Sequence, residues 1–125
     1  MSKPIPDYTE SQVWTLAESL KERFLKDIDI QLIDSEIRLN SQDDELTNVP
    51  GLYWEADDCH FLILKTGLSK YRCQFFYQAD QQYGTDIDEY NEFADCIMSL
   101  LQVQAEYDLI HKQETDAAAK VQLSL

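Results

Sequence analysis

Apolar residues recur along the chain with two different periods, and the changes between them mark out its elements. Val13, Leu16, Ala17, Leu20 and Phe24 fall at the three- and four-residue spacing of a single helical stripe, with Glu18, Lys21 and Glu22 away from its centre. Thr9 and Gln12 stand at capping-box spacing just ahead of that stripe, which predicts a helix over residues 9–26. The period then falls to two. Ile28, Ile30 and Leu32 alternate with Asp29 and Gln31, the pattern of a strand with one wet face. At Ile37 and Leu39 the parity switches, and a tight turn at Asp34-Ser35 would account for it by setting Leu32 opposite Ile37, Ile30 opposite Leu39 and Gln31 opposite Arg38.

Residues 41–50 read as an acidic connection with room for one helical turn, and strands follow over 52–57, 59–66 and 70–78. A turn at Asp57-Asp58 places Glu55 opposite His60, Trp54 opposite Phe61, Tyr53 opposite Leu62 and Leu52 opposite Ile63, so apolar positions face one another. Tyr90, Phe93, Ala94, Ile97, Met98, Leu100 and Leu101 then make the apolar face of a second helix, starting near Thr85 or Asp86 and running to about residue 111. The element order α-ββ-βββ-α predicts one α+β domain over 1–112, a mostly antiparallel sheet of about five strands with an N-terminal and a long C-terminal helix packed on it. Residues 113–125 form a C-terminal tail, helical or frayed.

Charge narrows the functional classes. Twenty-four acids against ten bases give a formal net charge of −14, which repels phosphate backbones and anionic headgroups. Direct nucleic-acid binding and membrane association are therefore not expected, and a protein with a basic surface is the expected partner. No apolar run approaches membrane-spanning length, the N-terminus MSKPIPDYTE lacks the apolar stretch of a signal peptide, and the reading is of a cytoplasmic protein. Cys59, Cys73 and Cys96 form no Cys-x-x-Cys pair and read as reduced thiols, two in the sheet and one in a helix.

Known catalytic patterns are missing. The chain has no P-loop, no G-x-G-x-x-G and no H-E-x-x-H, and its three isolated glycines cannot build a phosphate cradle. A calcium loop starting at Asp80 fails, because its sixth position is Thr85 instead of glycine. No cofactor is implied, and the balance favours a non-enzyme. Two clusters stay in view. Glu55, Asp57, Asp58 and His60 could offer oxygen and imidazole ligands to a divalent cation, which would suit a small metal-dependent hydrolase. Against that, carboxylates at a turn tip are ordinarily just solvated, and Cys59 and His60 should point to opposite faces of a strand. A small-ligand cup lined by Trp54 and Phe61 is a further option, though nothing in the sequence sets its polar anchors.

The second cluster carries more weight. From Cys73 to His111 there is no Lys or Arg, while eight acids occur. Tyr83, Asp86, Asp88, Glu89, Tyr90 and Glu92 combine steering charge with aromatic anchors, as a face binding a basic protein requires. A regulator, inhibitor or chaperone would each fit. The consecutive aromatics Phe75, Phe76 and Tyr77 call for cover on both sides of their strand, from the helices or from a second copy in a homodimer.

Overall fold

The computed structural model describes residues 5–38, 45–78 and 81–123, with side chains through residue 110. The elements run α1 (Glu10–Phe24), β1 (Gln31–Ile37), β2 (Thr47–Ala56), β3 (Cys59–Gly67), β4 (Lys70–Phe76) and α2 (Phe93–Leu123). The strands form one antiparallel sheet in the order β1-β2-β3-β4, so the fold is α+β, with four strands among the described residues instead of about five.

Local chemistry explains the elements that follow the sequence pattern. At the start of α1, the Thr9 hydroxyl accepts the Gln12 amide at 3.1 Å, and Gln12 Oε1 accepts the Thr9 amide at 2.9 Å, satisfying two donors that would otherwise lack helical partners. The helix stops at Leu25, which takes a left-handed φ of 59° and returns its amide to the Lys21 carbonyl. Between β2 and β3 the register is the expected one, with Glu55 opposite His60 and Leu52 opposite Ile63. Asp57 and Asp58 take φ values of 52° and 64°, the paired left-handed conformation of a two-residue hairpin turn matched to strand twist. Behind the turn, the Trp54 and Phe61 rings stack 5.1 Å apart and 6° from parallel.

Three expectations fail, each for a non-local reason. Asp34 and Ser35 form no turn: β1 passes straight through them, and they sit opposite Pro50 and Val49 of β2. Leu32 therefore faces Leu52 instead of Ile37, and the expected return strand through Leu39 and Asn40 leads outside the described residues. The connection over 41–50 is no helical turn at its far end, because β2 already begins at Thr47; residues 41–44 lie outside the described residues. Proline is tolerated inside β2 because the β2–β3 ladder starts only at Gly51, which leaves Pro50 with β1 as its single strand neighbour. Finally, α2 begins at Phe93, not near Thr85, because residues 83–90 pair with the sheet.

Burial alternates along β3, with Cys59, Phe61, Ile63 and Lys65 inside and His60, Leu62 and Leu64 partly exposed. The inner positions join Leu16 and Leu20 of α1, Leu52 and Trp54 of β2, Tyr71 and Phe75 of β4, and Cys96, Ile97 and Leu100 of α2 in one core cluster. The opposite face carries Ile33, Tyr53, Leu62, Leu64 and Phe76, all partly exposed. Its charged positions on the paired registers are Glu55, Lys70 and Arg72, with His60 beside Glu55.

Phe61 sits at the centre of this cluster, fully buried, with the Phe24 ring at 6.1 Å, Trp54 at 5.1 Å and Phe75 at 6.4 Å. Phe61→Ala should cost about 3–5 kcal/mol in urea denaturation, whereas Met98→Ala on the exposed side of α2 should shift stability by no more than about 0.5 kcal/mol. Equal effects of the two would place the core elsewhere.

Candidate functional site

The acidic hairpin resolves into pairs. His60 Nδ1 lies 2.5 Å from the Tyr53 hydroxyl and 3.9 Å from Glu55 Oε2, and the imidazole stacks on Phe76 at 4.9 Å. Asp57 Oδ1 is 3.6 Å from Lys26 Nζ, so it faces the end of α1. Asp57 and Asp58 are both exposed at the left-handed turn. Among the described residues no three His, Cys, Asp or Glu side chains gather as a cation would need. Cys59 is fully buried while His60 is partly exposed, so the two neighbours make no dyad.

The acidic run is held quite differently from a helix. The segment that precedes α2 lies along the outer edge of β4. Tyr83 and Phe75 exchange backbone hydrogen bonds of 2.8 Å in both directions, and Tyr90 and Tyr71 exchange bonds of 2.8 and 2.9 Å. Tyr90 is consequently buried, at 5% exposure, and its hydroxyl donates to Thr85 at 2.6 Å. Tyr83 stacks on Phe75 at 5.5 Å and accepts the Tyr107 hydroxyl at 2.9 Å. Both tyrosines thus fasten the segment from within, leaving the loop between them to face solvent. Asp86, Ile87 and Asp88 are exposed there, as are Glu92 and Asp95 at the start of α2. Glu89 alone turns back: its Oε2 accepts the Thr66 hydroxyl at 2.9 Å and lies 3.4 Å from Arg72 Nε. Among the described residues, Asp86, Asp88, Glu92 and Asp95 have no basic side chain within salt-bridge distance.

Ile87 was not marked by the sequence pattern, since the helical reading gave it no special place. It is 53% exposed between two aspartates, and the Thr85 hydroxyl fixes its backbone by accepting the Ile87 amide at 3.3 Å and reaching its carbonyl at 3.1 Å. Beside this loop an open recess of about 630 Å³ is lined by Leu68, Ser69 and Lys70 of the β3–β4 turn together with Asn91 and Glu92. Leu68 is 77% exposed at its rim.

Several phenols and thiols of the core and its margin are shifted by burial. The Tyr77 hydroxyl accepts Gln104 Nε2 at 3.1 Å, and its ring stacks on Tyr107 at 5.5 Å. Burial pushes Cys59 up to about 11 despite a hydrogen bond from Tyr77, and it drives Tyr77 well above the ordinary phenol range. Tyr8, whose hydroxyl donates to the Ile63 carbonyl at 2.9 Å, is raised for the same reason. Lys65 goes the other way: buried at 3% exposure against the Asp7 carbonyl, it is pulled below the usual lysine range by desolvation.

A thiol or phenol with a raised folded pKa contributes stability that is complete below its unfolded value and is lost as pH climbs toward the folded one. For Cys59 that window opens at 9.0 and closes at about 11, and the Tyr8 and Tyr77 windows open at 10.0. Lys65 opposes them, since a lowered lysine gains stability with rising pH, and the lowered Cys73 acts with it, while Tyr71 and Cys96, both raised, join the larger group. The urea midpoint should therefore fall steadily from about pH 9 upward, more shallowly in Tyr77→Phe. A midpoint that stays level to pH 11 would contradict the buried placement of these groups.

No family model, no curated protein and no solved structure matches the chain.

Proposed function

We propose that this is a non-enzymatic binding protein whose partner is a protein with a basic surface, engaged by Asp86, Asp88, Glu92 and Asp95 around the exposed side chain of Ile87. The observation that carries the reading is that, among the described residues, no basic side chain lies within salt-bridge distance of these carboxylates. Two strand-like bridges pin the loop at both ends, so the chain has already met the entropy cost of arranging the acids before any partner arrives. Exposed acids of one sign steer a basic partner and raise its on-rate, while an apolar residue among them supplies contact area. Tyr83 and Tyr90 take part by anchoring the loop instead of touching the partner. Glu89 holds the loop to the sheet through Thr66 and Arg72.

The test is affinity capture from native extract. A bound protein should be retained at about 50 mM salt and released at about 500 mM, as the screening length shrinks. Asp86→Lys/Asp88→Lys/Glu92→Lys should lose at least about nine tenths of that capture. The charge-matched Glu18→Lys/Glu22→Lys/Asp29→Lys should keep it. Equal capture by both triple variants, or none by the parent chain, would remove the proposal.

A second copy of the chain is a further reading, favoured by the partly exposed apolar residues of the outer sheet face. In a chain of net charge −14, that face carries Ile33, Leu62, Leu64 and Phe76 with Glu55, Lys70 and Arg72 as its charged strand positions, so it holds little of the like charge that keeps two copies apart elsewhere. It also holds a pocket of about 210 Å³ lined by Ile37, Leu62, Leu64, Arg72 and Gln74. Sedimentation should then show a dimer at about 100 μM that Leu62→Lys converts to monomer. A parent chain monomeric at that concentration rejects this reading.

A further inference from the structure

Two constraints, one on each side, bring a pair of phenols together. The backbone of Tyr83 is held to Phe75 of β4 by two hydrogen bonds of 2.8 Å, and its ring stacks on the Phe75 ring at 5.5 Å. On α2, the buried Gln104 gives its side-chain amide to the Tyr77 hydroxyl at 3.1 Å. Tyr107 follows Gln104 at i+3 spacing and so shares its side of the helix. The Tyr107 ring lies 5.5 Å from Tyr77 and 5.8 Å from Phe75. It comes nearest to Tyr83, with ring centres 4.5 Å apart and 40° between the planes. The Tyr107 hydroxyl donates to the Tyr83 hydroxyl at 2.9 Å.

We propose that Tyr83 and Tyr107 are an oxidative modification site, at which a one-electron oxidant of the peroxidase class joins them within one molecule as dityrosine and so locks the acidic segment to α2. The pair already stands much as the product requires. In dityrosine the new bond links the ring carbons next to the two hydroxyls, which leaves those hydroxyls side by side. Such a bond holds the two ring centres only slightly closer than they are here. Aromatic pairs ordinarily sit about 4.5–7 Å apart, so this one is at the near limit before any bond forms. Both tyrosines are half-buried, so each keeps a part that an oxidant in solution can reach. The site does not depend on what the acidic loop binds.

The chemistry balances with one hydrogen peroxide, the peroxidase's oxidant. Each phenol gives up one electron and its hydroxyl proton, leaving a phenoxyl radical whose spin is shared with the neighbouring ring carbons. One such carbon of Tyr83 and one of Tyr107 then form a carbon–carbon bond. The hydrogen on each bonded carbon moves to its own ring oxygen, which restores both phenols. The sum is two tyrosines and one hydrogen peroxide giving one dityrosine and two waters. Protons have a path outward, because Tyr107 donates to Tyr83 and the Tyr83 hydroxyl lies 3.5 Å from Oε1 of the exposed Gln81.

Two other tyrosine pairs are internal controls. Tyr8 and Tyr71 have ring centres 6.3 Å apart and are both buried. Their hydroxyls are turned to other partners, Tyr8 to the Ile63 carbonyl at 2.9 Å and Tyr71 to Gln12 Nε2 at 2.7 Å. Tyr77 and Tyr107 stack at 5.5 Å with 26° between the planes, and the Tyr77 hydroxyl is held by Gln104. Tyr83 and Tyr107 alone combine touching hydroxyls with the shortest ring separation of the three pairs. Proximity therefore selects them.

The experiment treats the full chain with horseradish peroxidase and equimolar hydrogen peroxide. At about 10 μM chain, partners held in place outpace those that must meet by diffusion. The monomer should lose the mass of two hydrogens and gain the blue fluorescence of dityrosine. Cleavage at acidic residues puts Tyr77, Tyr83 and Tyr107 on separate fragments, since Asp80 lies between the first two and Asp86 and Glu106 between the last two. The Tyr83 and Tyr107 fragments should stay joined. Tyr83→Phe and Tyr107→Phe should each remove that fluorescence from the monomer, and Tyr77→Phe should keep it; each variant retains its ring. A cross-link at Tyr77–Tyr107 or Tyr8–Tyr71 instead, cross-linking only between molecules, or an equal monomer yield from the urea-unfolded chain overturns the proposal. The fragment map of the parent chain decides the main result, so a variant that fails to fold does not shelter it.

Discussion

Four backbone hydrogen bonds between β4 and the segment over 83–90 organise everything that distinguishes this molecule from a bare sheet with two helices. They cover the outer edge of β4, which would otherwise present unpaired amides and carbonyls to any passing strand. They also delay the start of α2 to Phe93, which seats the helix where its first turn packs on Tyr71. And they fix both ends of a loop whose middle is acidic. Remove the pairing and the acids would belong to a flexible connector.

Magnitudes show why the pairing survives the charge it orders. Two carboxylates about 7 Å apart at a wet surface repel by about 0.6 kcal/mol, and salt reduces that further. Each backbone hydrogen bond contributes about 0.5–1.5 kcal/mol net, so four of them outweigh the local repulsion several-fold. The Tyr83 ring stacked on Phe75, and the burial of Tyr90, add to the same side. The net charge of −14 therefore does not prevent an ordered acidic surface; it leaves that surface with little of its own to neutralise it. The four ion pairs among the described residues use Asp27, Asp57, Glu55 and Glu89, and only the last belongs to the acidic segment.

What could be read from the sequence was whatever nearest neighbours decide. The β2–β3 register was legible because a one-residue slip would turn Trp54 or Phe61 to the wrong face, and α1 because its cap and stripe agree. Asp34-Ser35 misled because edge strands tolerate turn-forming polar residues that central strands exclude. Ile28 and Ile30, which seemed to set a strand's parity, lie in the lead-in before β1 and pack against the core from there. The acids over 86–92 looked like the first turns of a helix because helix N-termini favour negative charge. No local pattern reports that Tyr83 and Tyr90 would take backbone partners on β4 instead. The same blindness hid Glu89, which sequence grouped with its exposed neighbours and which the fold ties to Thr66 and Arg72.

Thr85 ties the exposed turn of the acidic loop to the core beneath it. Its hydroxyl accepts from the buried Tyr90 at 2.6 Å, donates to the Ile87 carbonyl at 3.1 Å and accepts the Ile87 amide at 3.3 Å. A hydroxyl has one proton to donate and two lone pairs, so these three bonds use its whole capacity. The turn that presents Ile87 between two aspartates is thus fixed through a single side chain, within a segment that the edge of β4 already holds in place.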